Sequence, residues 1–583
     1  MVIHLPNEYV TIDLKMDDKI GNSELEKKNT SNNDVSYDTL LSSAGEFGRY
    51  QLLLLFSTFP FYYFAVSVYF SQLFMTEVPP KHWCWIPELE NLTEIDRRNL
   101  AIPKDNNARF GYSHCQAYEA NWTEVLVTGR TLNNSWKIVP CQNGWEFDRK
   151  EFPYPTISTD LEWVCDKSNY QATAQSIFFF GAVIGSVLIG WMADRFGRIP
   201  AVVACCLLGC VGGLSSAFVT NFNQFTICRF ITGMGHDNCM MMPYLIILEY
   251  MAPKYRSILA NTSFGIFYAL FTTSFPFIAL ACGHWKTISL VSGIPLAFSI
   301  MTPLFIPESP RWLLSNGRVD EAIGKILVIS RVNKKVIPTD LIEKFKKTVS
   351  NEEIKDNLRC FDVFKRPQLR KFLILACIEF ACCQVVFDGL VRNLAQLEYD
   401  FFLSFAASSF TELPSVVCCA FIMDFFGRKF LTFSMLAINC VFCILTVSVV
   451  SGVPALICAV LARFAVNMAC NTVMQWSAEL MPTHVRGLGL SVVVTCANMC
   501  IMISPYIKYL TVYVFWLPHV ILAGVAAIGA ITALVLPETA MKEMPHTCED
   551  AENLARNQKF WLMPCMNKTK NENQGHVNQS FEM

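Results

Sequence analysis

Gly190-Trp-Met-Ala-Asp-Arg-Phe-Gly-Arg198 closes one apolar run, and its core, Asp194-Arg-Phe-Gly-Arg198, returns 230 positions later as Asp424-Phe-Phe-Gly-Arg428. Glu249 followed by Arg256 returns at the same offset as Glu479 followed by Arg486, and Pro307-Glu308 returns as Pro537-Glu538. One matched pair would be coincidence. Several pairs at one offset, each at the end of an apolar stretch, read as a duplicated half. A duplicated half built of hydrophobic spans predicts two membrane lobes with a substrate site between them, opened to each side in turn.

Working outward, the rest of the chain agrees. It is 52% hydrophobic and only 16% charged, where a soluble protein carries roughly 25% charge. The net charge of −2 is uninformative. Apolar runs recur near 50–74, 171–193, 200–220, 223–250, 258–282, 286–306, 371–392, 399–423, 430–450, 454–477, 487–510 and 513–536. Each is about 20 residues, long enough to cross ~30 Å of hydrocarbon. The predicted fold is an all-α membrane protein with twelve transmembrane helices in two pseudo-symmetric six-helix lobes.

The expected organisation is a cytoplasmic segment over 1–48, an N-lobe over 49–306 and a cytoplasmic linker with short helices over 307–370. A C-lobe over 371–538 and a disordered cytoplasmic tail over 539–583 complete it. Basic residues gather at the joints after the even-numbered spans, including Arg195 and Arg198, Lys254 and Arg256, Arg428 and Lys429, and Arg486. By the positive-inside rule both termini are cytoplasmic. No basic-then-apolar start or small-residue cleavage site marks a signal peptide.

The loop over 75–170 is therefore extracellular. It holds Cys84, Cys115, Cys141 and Cys165, and sequons at Asn91, Asn121 and Asn133. Disulfides persist and glycans are added outside the cell. Four cysteines allow three pairings, and sequence does not choose among them. The cysteines within the spans read as small apolar packers, and Cys205-Cys206, Cys382-Cys383 and Cys418-Cys419 lack zinc spacing.

Charges inside spans are costly and are site candidates by default. In span four, Asp237, Met240, Met241, Tyr244 and Leu248 share one helical face. An acid with soft and aromatic neighbours suits an organic cation. In span seven, Glu379 and Asp388 lie nine residues apart, which places them on opposite faces unless the helix breaks near Gly389. Asp388 is four residues before Arg392 and reads as its ion-pair partner.

Pro140-Cys-Gln-Asn-Gly-Trp-Glu-Phe-Asp148, Leu161-Glu-Trp-Val-Cys-Asp166, Pro307-Glu-Ser-Pro-Arg-Trp-Leu-Leu314 and Ala478-Glu-Leu-Met-Pro-Thr-His-Val-Arg-Gly-Leu-Gly489, with the opening motif, resemble solute carrier family 22 of the major facilitator superfamily. The resemblance runs from about Phe47 to Glu538. The departures are Met481, where the family usually has Tyr, and a single Arg198, where it often has a basic pair.

The resemblance implies a polyspecific organic ion transporter of the plasma membrane, working by alternating access. Asp194, Arg195, Arg198, Glu249, Arg256, Glu308 and Arg311, with Asp424, Arg428, Glu479 and Arg486, then form a cytoplasmic gating network. Its pairs would cross between lobes when the outer gate is open. Tyr244, Phe387, Glu412 of Glu412-Leu-Pro414 and Arg463 match cavity positions, and Glu379 joins Asp237 and Met240 as a further candidate. At Asn498, cation members tend to have Asp and anion members Arg, so the usual charge selector is replaced by an amide that both donates and accepts.

The acids outnumber the bases at these positions, which favours cations or carnitine-like zwitterions. An organic anion transporter, a sugar-type facilitator and a non-transporting sensor are the alternatives. The expected partners are a small organic ion and the lipid bilayer, not a nucleic acid. A monomer would suffice, with oligomers left open. No Walker-type phosphate loop, metal cluster or nucleophile elbow is present in the sequence, so no enzyme activity, cofactor or metal is expected.

Overall fold

The structure is a computed structural model. It describes residues 36–105, 110–128, 136–150, 152–352, 366–397, 399–449, 452–482, 485–540, 542, 545 and 551–552, except the side chains of 253–262 and 350–352. The expectations for Asn133 and for the Arg256 side chain lie outside these residues.

Among the described residues, eleven helices are long and apolar enough to cross a membrane. Spans one to three are Arg49–Thr76, Tyr170–Arg195 and Arg198–Ser216. Span four, Phe222–Tyr250, is equally long but interrupted by Arg229 and His236-Asp237-Asn238. It completes the twelve expected of a major facilitator fold. Span five is Pro253–Cys282, and span six begins at Trp285 and tightens into a 3₁₀ turn over Ile294–Met301.

In the second lobe, span seven is Pro367–Arg392 and span eight is split into Phe401–Phe410 and Glu412–Phe426. Spans nine and ten are Arg428–Ser448 and Val453–Leu480. Span eleven runs Arg486–Ile501 and resumes at Ser504, beside Pro505, and span twelve is Leu517–Val535. Spans two, three and four pack together in one lobe, and spans seven, nine, ten and twelve in the other. The lobes meet along span five against span eight and span two against span eleven.

Small residues set the close approaches. A Cβ added at Gly233 of span four would sit 2.0 Å from the Phe178 carbonyl oxygen of span two. That approach fixes the height at which the neighbouring His236 and Asp237 lie.

The duplicated motifs fold alike. Gly197 and Gly427 turn the chain into spans three and nine with φ of +116° and +88°. The missing Cβ at each leaves room for an acid from the end of its own lobe. Glu308 accepts from the backbone N–H groups of Arg198 and Ile199 at 2.8 and 3.1 Å. Glu538 accepts from those of Arg428 and Lys429 at 3.0 and 2.9 Å. Each carboxylate thus caps the first turn of a helix, where unpaired N–H groups and the helix dipole favour negative charge.

A Cβ at residue 427 would lie 2.6 Å from a Glu538 carboxylate oxygen. We expect Gly427→Ala to lose ~1–2 kcal/mol for the left-handed backbone alone, plus the strained cap. Thermal unfolding in detergent checks this, against Gly524→Ala, where nothing lies within 4 Å. Equal midpoints for the two variants would contradict it.

The domain between spans one and two holds two antiparallel strand pairs, His82–Cys84 with Trp145–Phe147 and Gln116–Glu119 with Lys137–Pro140. The disulfides are Cys84–Cys141 and Cys115–Cys165. Asn91 and Asn121 are exposed. His82 and His114 rings lie 4.8 Å apart, and His114 Nδ1 is 2.8 Å from the His82 carbonyl oxygen.

Burial first, and the His114 ring second, push His82 down to about 3. The folded domain therefore takes up its proton less readily than the unfolded chain, whose histidines titrate near ~6.5. Its stability is full above that value and falls as the pH drops towards His82's own value. His82→Phe should flatten this acid loss in melting curves of tryptophan fluorescence, and parallel curves would discount it.

At the end of the bundle opposite the loop between spans one and two, both flanking segments contact the helices. In the N-terminal segment Tyr37–Ser43 is a helix, with Leu40 and Leu41 fully buried. It packs against the linker helices Val319–Val332 and Thr339–Glu352. The tail is likewise anchored before it leaves the described residues, because Ala551 is fully buried and Glu552 pairs with Arg366 at 3.2 Å.

Candidate functional site

The face of span four read from the sequence is the face that stays open. Asp237, Met240, Met241, Tyr244 and Leu248 are half-buried, while Asn238, Cys239, Met242, Pro243, Ile246 and Ile247 between them are buried. Tyr244, Phe264 and Tyr268 make an aromatic wall, with the Phe264 and Tyr268 rings stacked at 5.3 Å. From the opposite lobe, Phe387 and Asn498 are also half-buried.

Asp237 and Asn498 meet across the lobe interface, the Asn498 side-chain N–H donating to the Asp237 carboxylate. His236 Nε2 lies 3.5 Å from the other carboxylate oxygen. The structure therefore brings Asp237 and Asn498 together across the lobe interface, and it leaves Met240, Tyr244 and Phe387 half-buried.

Arg463 and Glu412 reach each other instead. Their ion pair is 2.9 Å long, and Arg463 is 2% exposed. Arg463 also donates to the Phe387 carbonyl oxygen, and its guanidinium lies 3.3 Å from the Phe387 ring centroid. Each is the other's counter-ion inside the C-lobe, and each shapes the cavity through Phe387.

Glu379 is placed elsewhere, and the expectation that it faces the cavity is corrected. Span seven is unbroken through Gly389, so Glu379 and Asp388 lie on opposite faces of the helix. It is fully buried beside Cys382 and Gly529 of span twelve, and neither carboxylate oxygen has a hydrogen-bond partner. Asp388 pairs with Arg392, as its spacing predicts, at 2.5 and 2.9 Å.

The structure adds residues that the sequence reading missed. Lys508 Nζ lies 2.7 and 2.6 Å from the two oxygens of Glu77, joining span eleven to the end of span one. Tyr69 of span one donates to Asp388 of span seven. Ser176 donates to the Met502 carbonyl oxygen at 2.7 Å, and Phe70 and Phe74 pack on Phe405. All these contacts cross between lobes in the half that carries the domain between spans one and two, so that side is closed. The one sequence signal for the latch was a pair of lone opposite charges, Glu77 and Lys508, at the outer ends of spans one and eleven.

At the opposite end of the bundle the paired charges stay within their lobes. Arg198 bonds Asp194 at 2.7 Å and Glu249 at 3.4 Å. Arg428 bonds Asp424 and Glu479, both at 2.9 Å. Arg311 pairs not with these acids but with Asp38 of the N-terminal helix, at 2.5 Å. Arg195 is exposed. Arg486 is half-buried, and two of its guanidinium nitrogens have no hydrogen-bond partner. Away from the open face of span four, Cys205, Cys206 and Cys239 gather their sulfurs within 4.8 Å of one another.

Comparison with known proteins agrees with this architecture. A family model described as sugar (and other) transporter matches residues 114–550. A carcinine transporter of Drosophila melanogaster is 29% identical, over 90% of this chain and 80% of the relative. Organic cation transporter 1 of Caenorhabditis elegans is 27% identical over 89% of each. Solute carrier family 22 member 3 of Rattus norvegicus is 28% identical, over 92% of this chain and 98% of its own length. Among solved structures, the inward-open xylose transporter XylE of E. coli superposes with a TM-score of 0.57 at 16% identity, covering 87% of this chain and 99% of XylE. That likeness shows the major facilitator fold.

Proposed function

The chain belongs to the sugar (and other) transporter family, and from that premise we propose that it carries small organic cations, or zwitterions with a cationic end, across the plasma membrane by alternating access. Both termini face the cytoplasm, and the outer domain faces outward. The relatives are transporters, several of them named for organic cations or amines, and this reading extends that role to the present chain.

One observation carries the choice of charge. Three basic side chains within the spans already have carboxylate partners: Arg463 has Glu412, Arg392 has Asp388 and Lys508 has Glu77. Asp237 has only a neutral amide and an imidazole. A carboxylate half-buried beside tyrosines and methionines, without a fixed counter-ion, is suited to an ammonium group. The cation is taken between Asp237 and the ring faces of Tyr244, Phe264 and Tyr268. It is released when the lobes rock and the Asp237–Asn498 contact is remade.

The test is uptake of tetraethylammonium beside para-aminohippurate in cells expressing the full chain. Tetraethylammonium uptake alone is the expected result, and uptake of para-aminohippurate alone would sink the reading. Asn498→Arg places a fixed cation against Asp237. It should cut tetraethylammonium uptake by at least about tenfold, equivalent to ~1.4 kcal/mol, at unchanged surface level. Undiminished uptake by this variant would put the bound cation somewhere other than Asp237.

A further inference from the structure

The immediate surroundings of Asp237 bear on what drives transport. Its side chain is 20% exposed and that of His236 is 18% exposed. The Asn498 amide holds one carboxylate oxygen and His236 Nε2 stands 3.5 Å from the other. The imidazole itself is enclosed: its ring stacks on Tyr69 at 4.9 Å and packs on Phe178 at 5.3 Å, and its Nδ1 is buried without a partner.

Around the pair, span one presents the Tyr69 hydroxyl, which is already bonded to Asp388 of span seven. Asp388 in turn is held by Arg392. Span two presents Phe178, and span eleven presents Asn498, neither of which titrates. The thiols of span three, Cys205 and Cys206, face Cys239 on the other side of span four. Among the described residues, no basic side chain of fixed charge stands against Asp237.

We propose that Asp237 is occupied alternately by the substrate cation and by a proton, so that the protein exchanges one proton for each organic cation. This rests on the cation reading above. An ionised carboxylate in this partly dry pocket needs a positive charge beside it. With no fixed base in place, the available ones are the substrate and a proton, held on the carboxylate itself or on His236 as an imidazolium at 3.5 Å.

Both cannot be held together, because a cation and an imidazolium would place two positive charges against one negative charge. Arrival of the substrate therefore expels the proton, and departure of the substrate reloads it. One positive charge moves each way, so the cycle carries no net charge. The same carboxylate bridges to Asn498 of the opposite lobe, which ties the protonated, empty site to closure of the interface. Asp237 is the exchanging group, and His236 is a positioning residue that sets the pH at which exchange occurs.

The test uses the full-length protein in vesicles, with potassium and valinomycin holding the membrane potential at zero. Tetraethylammonium is the probe because its charge does not change with pH. With the lumen about one pH unit more acidic than outside, one-for-one exchange supports about tenfold accumulation. A lumenal pH dye should report one proton leaving for each tetraethylammonium that enters.

Asp237→Asn should lose both fluxes. His236→Gln should keep the one-to-one ratio and shift the pH of half-maximal uptake. Tetraethylammonium uptake that ignores the pH gradient and follows an imposed inside-negative potential would overturn the exchange while leaving organic cation transport standing. Absence of tetraethylammonium uptake under either gradient would overturn the cation reading and the exchange together.

Discussion

Lys508→Met will reduce uptake by about two orders of magnitude without reducing the protein at the cell surface, because it removes one half of a buried latch. Lys508 bonds both oxygens of Glu77, and Glu77 is 2% exposed. The same acid is approached by the Gln171 side chain at 3.4 Å, and the Glu77 carbonyl oxygen accepts from the Thr156 hydroxyl at 2.8 Å. These anchors fix Glu77 to the N-lobe, so Lys508 is the part that moves with the C-lobe. Breaking a buried pair by removing one partner costs ~3–5 kcal/mol. A transporter needs its two states within a few kcal/mol of each other, so this loss is enough to stall the cycle with the outer side open.

Glu77→Gln should behave like Lys508→Met. Exchanging the two charges, with Glu77→Lys and Lys508→Glu in one chain, should return a substantial part of the uptake. Initial-rate uptake with surface biotinylation reads all four proteins. Single variants that transport as the parent does would remove the latch from the mechanism.

A second large effect is expected at Arg463, this time on stability. Arg463→Ala leaves Glu412 buried without its counter-ion, and it removes the donor to the Phe387 carbonyl and the cation above the Phe387 ring. The expected loss is ~3–5 kcal/mol, seen as a lower melting temperature in detergent. Arg463→Lys should fare little better, since an ammonium cannot reach an acid and a carbonyl through a planar fork while lying flat on a ring.

Adding Glu412→Gln to Arg463→Ala removes the stranded charge and should recover much of the loss. A double variant no more stable than Arg463→Ala would show that the pair is not the source of the effect. In the recovered double variant the preference for tetraethylammonium over para-aminohippurate should persist, because Arg463 is occupied by Glu412 and does not select the substrate directly.

Much of this protein could be read along the chain. The two lobes follow from motifs repeated at one offset, and the spans follow from apolar runs long enough to cross a bilayer. The face Asp237–Met240–Met241–Tyr244–Leu248 follows from helical spacing, and the structure leaves those side chains half-open. The pairing of Asp388 with Arg392 is one helical turn and equally local. Even the separation of Glu379 from Asp388 follows from their spacing, although it took the unbroken helix to place Glu379 against span twelve.

What the chain could not state was which distant groups meet. Glu77 with Lys508, Tyr69 with Asp388 and Asp237 with Asn498 are each separated by more than 250 residues, and no period links them. The same holds for the choice among three disulfide pairings, settled by how two short strand pairs bring Cys84 to Cys141 and Cys115 to Cys165. It holds again for Glu308, read as a gating charge, and its repeat Glu538, both found capping helices in the space two glycines leave open. Periodicity and hydrophobicity act between neighbours along one helix, and so the sequence by itself determined the spans, the lobes and the open face. Partnership between helices depends on their relative height and rotation once packed, and so only the tertiary structure decided which charges are neutralised and left Asp237 facing an amide.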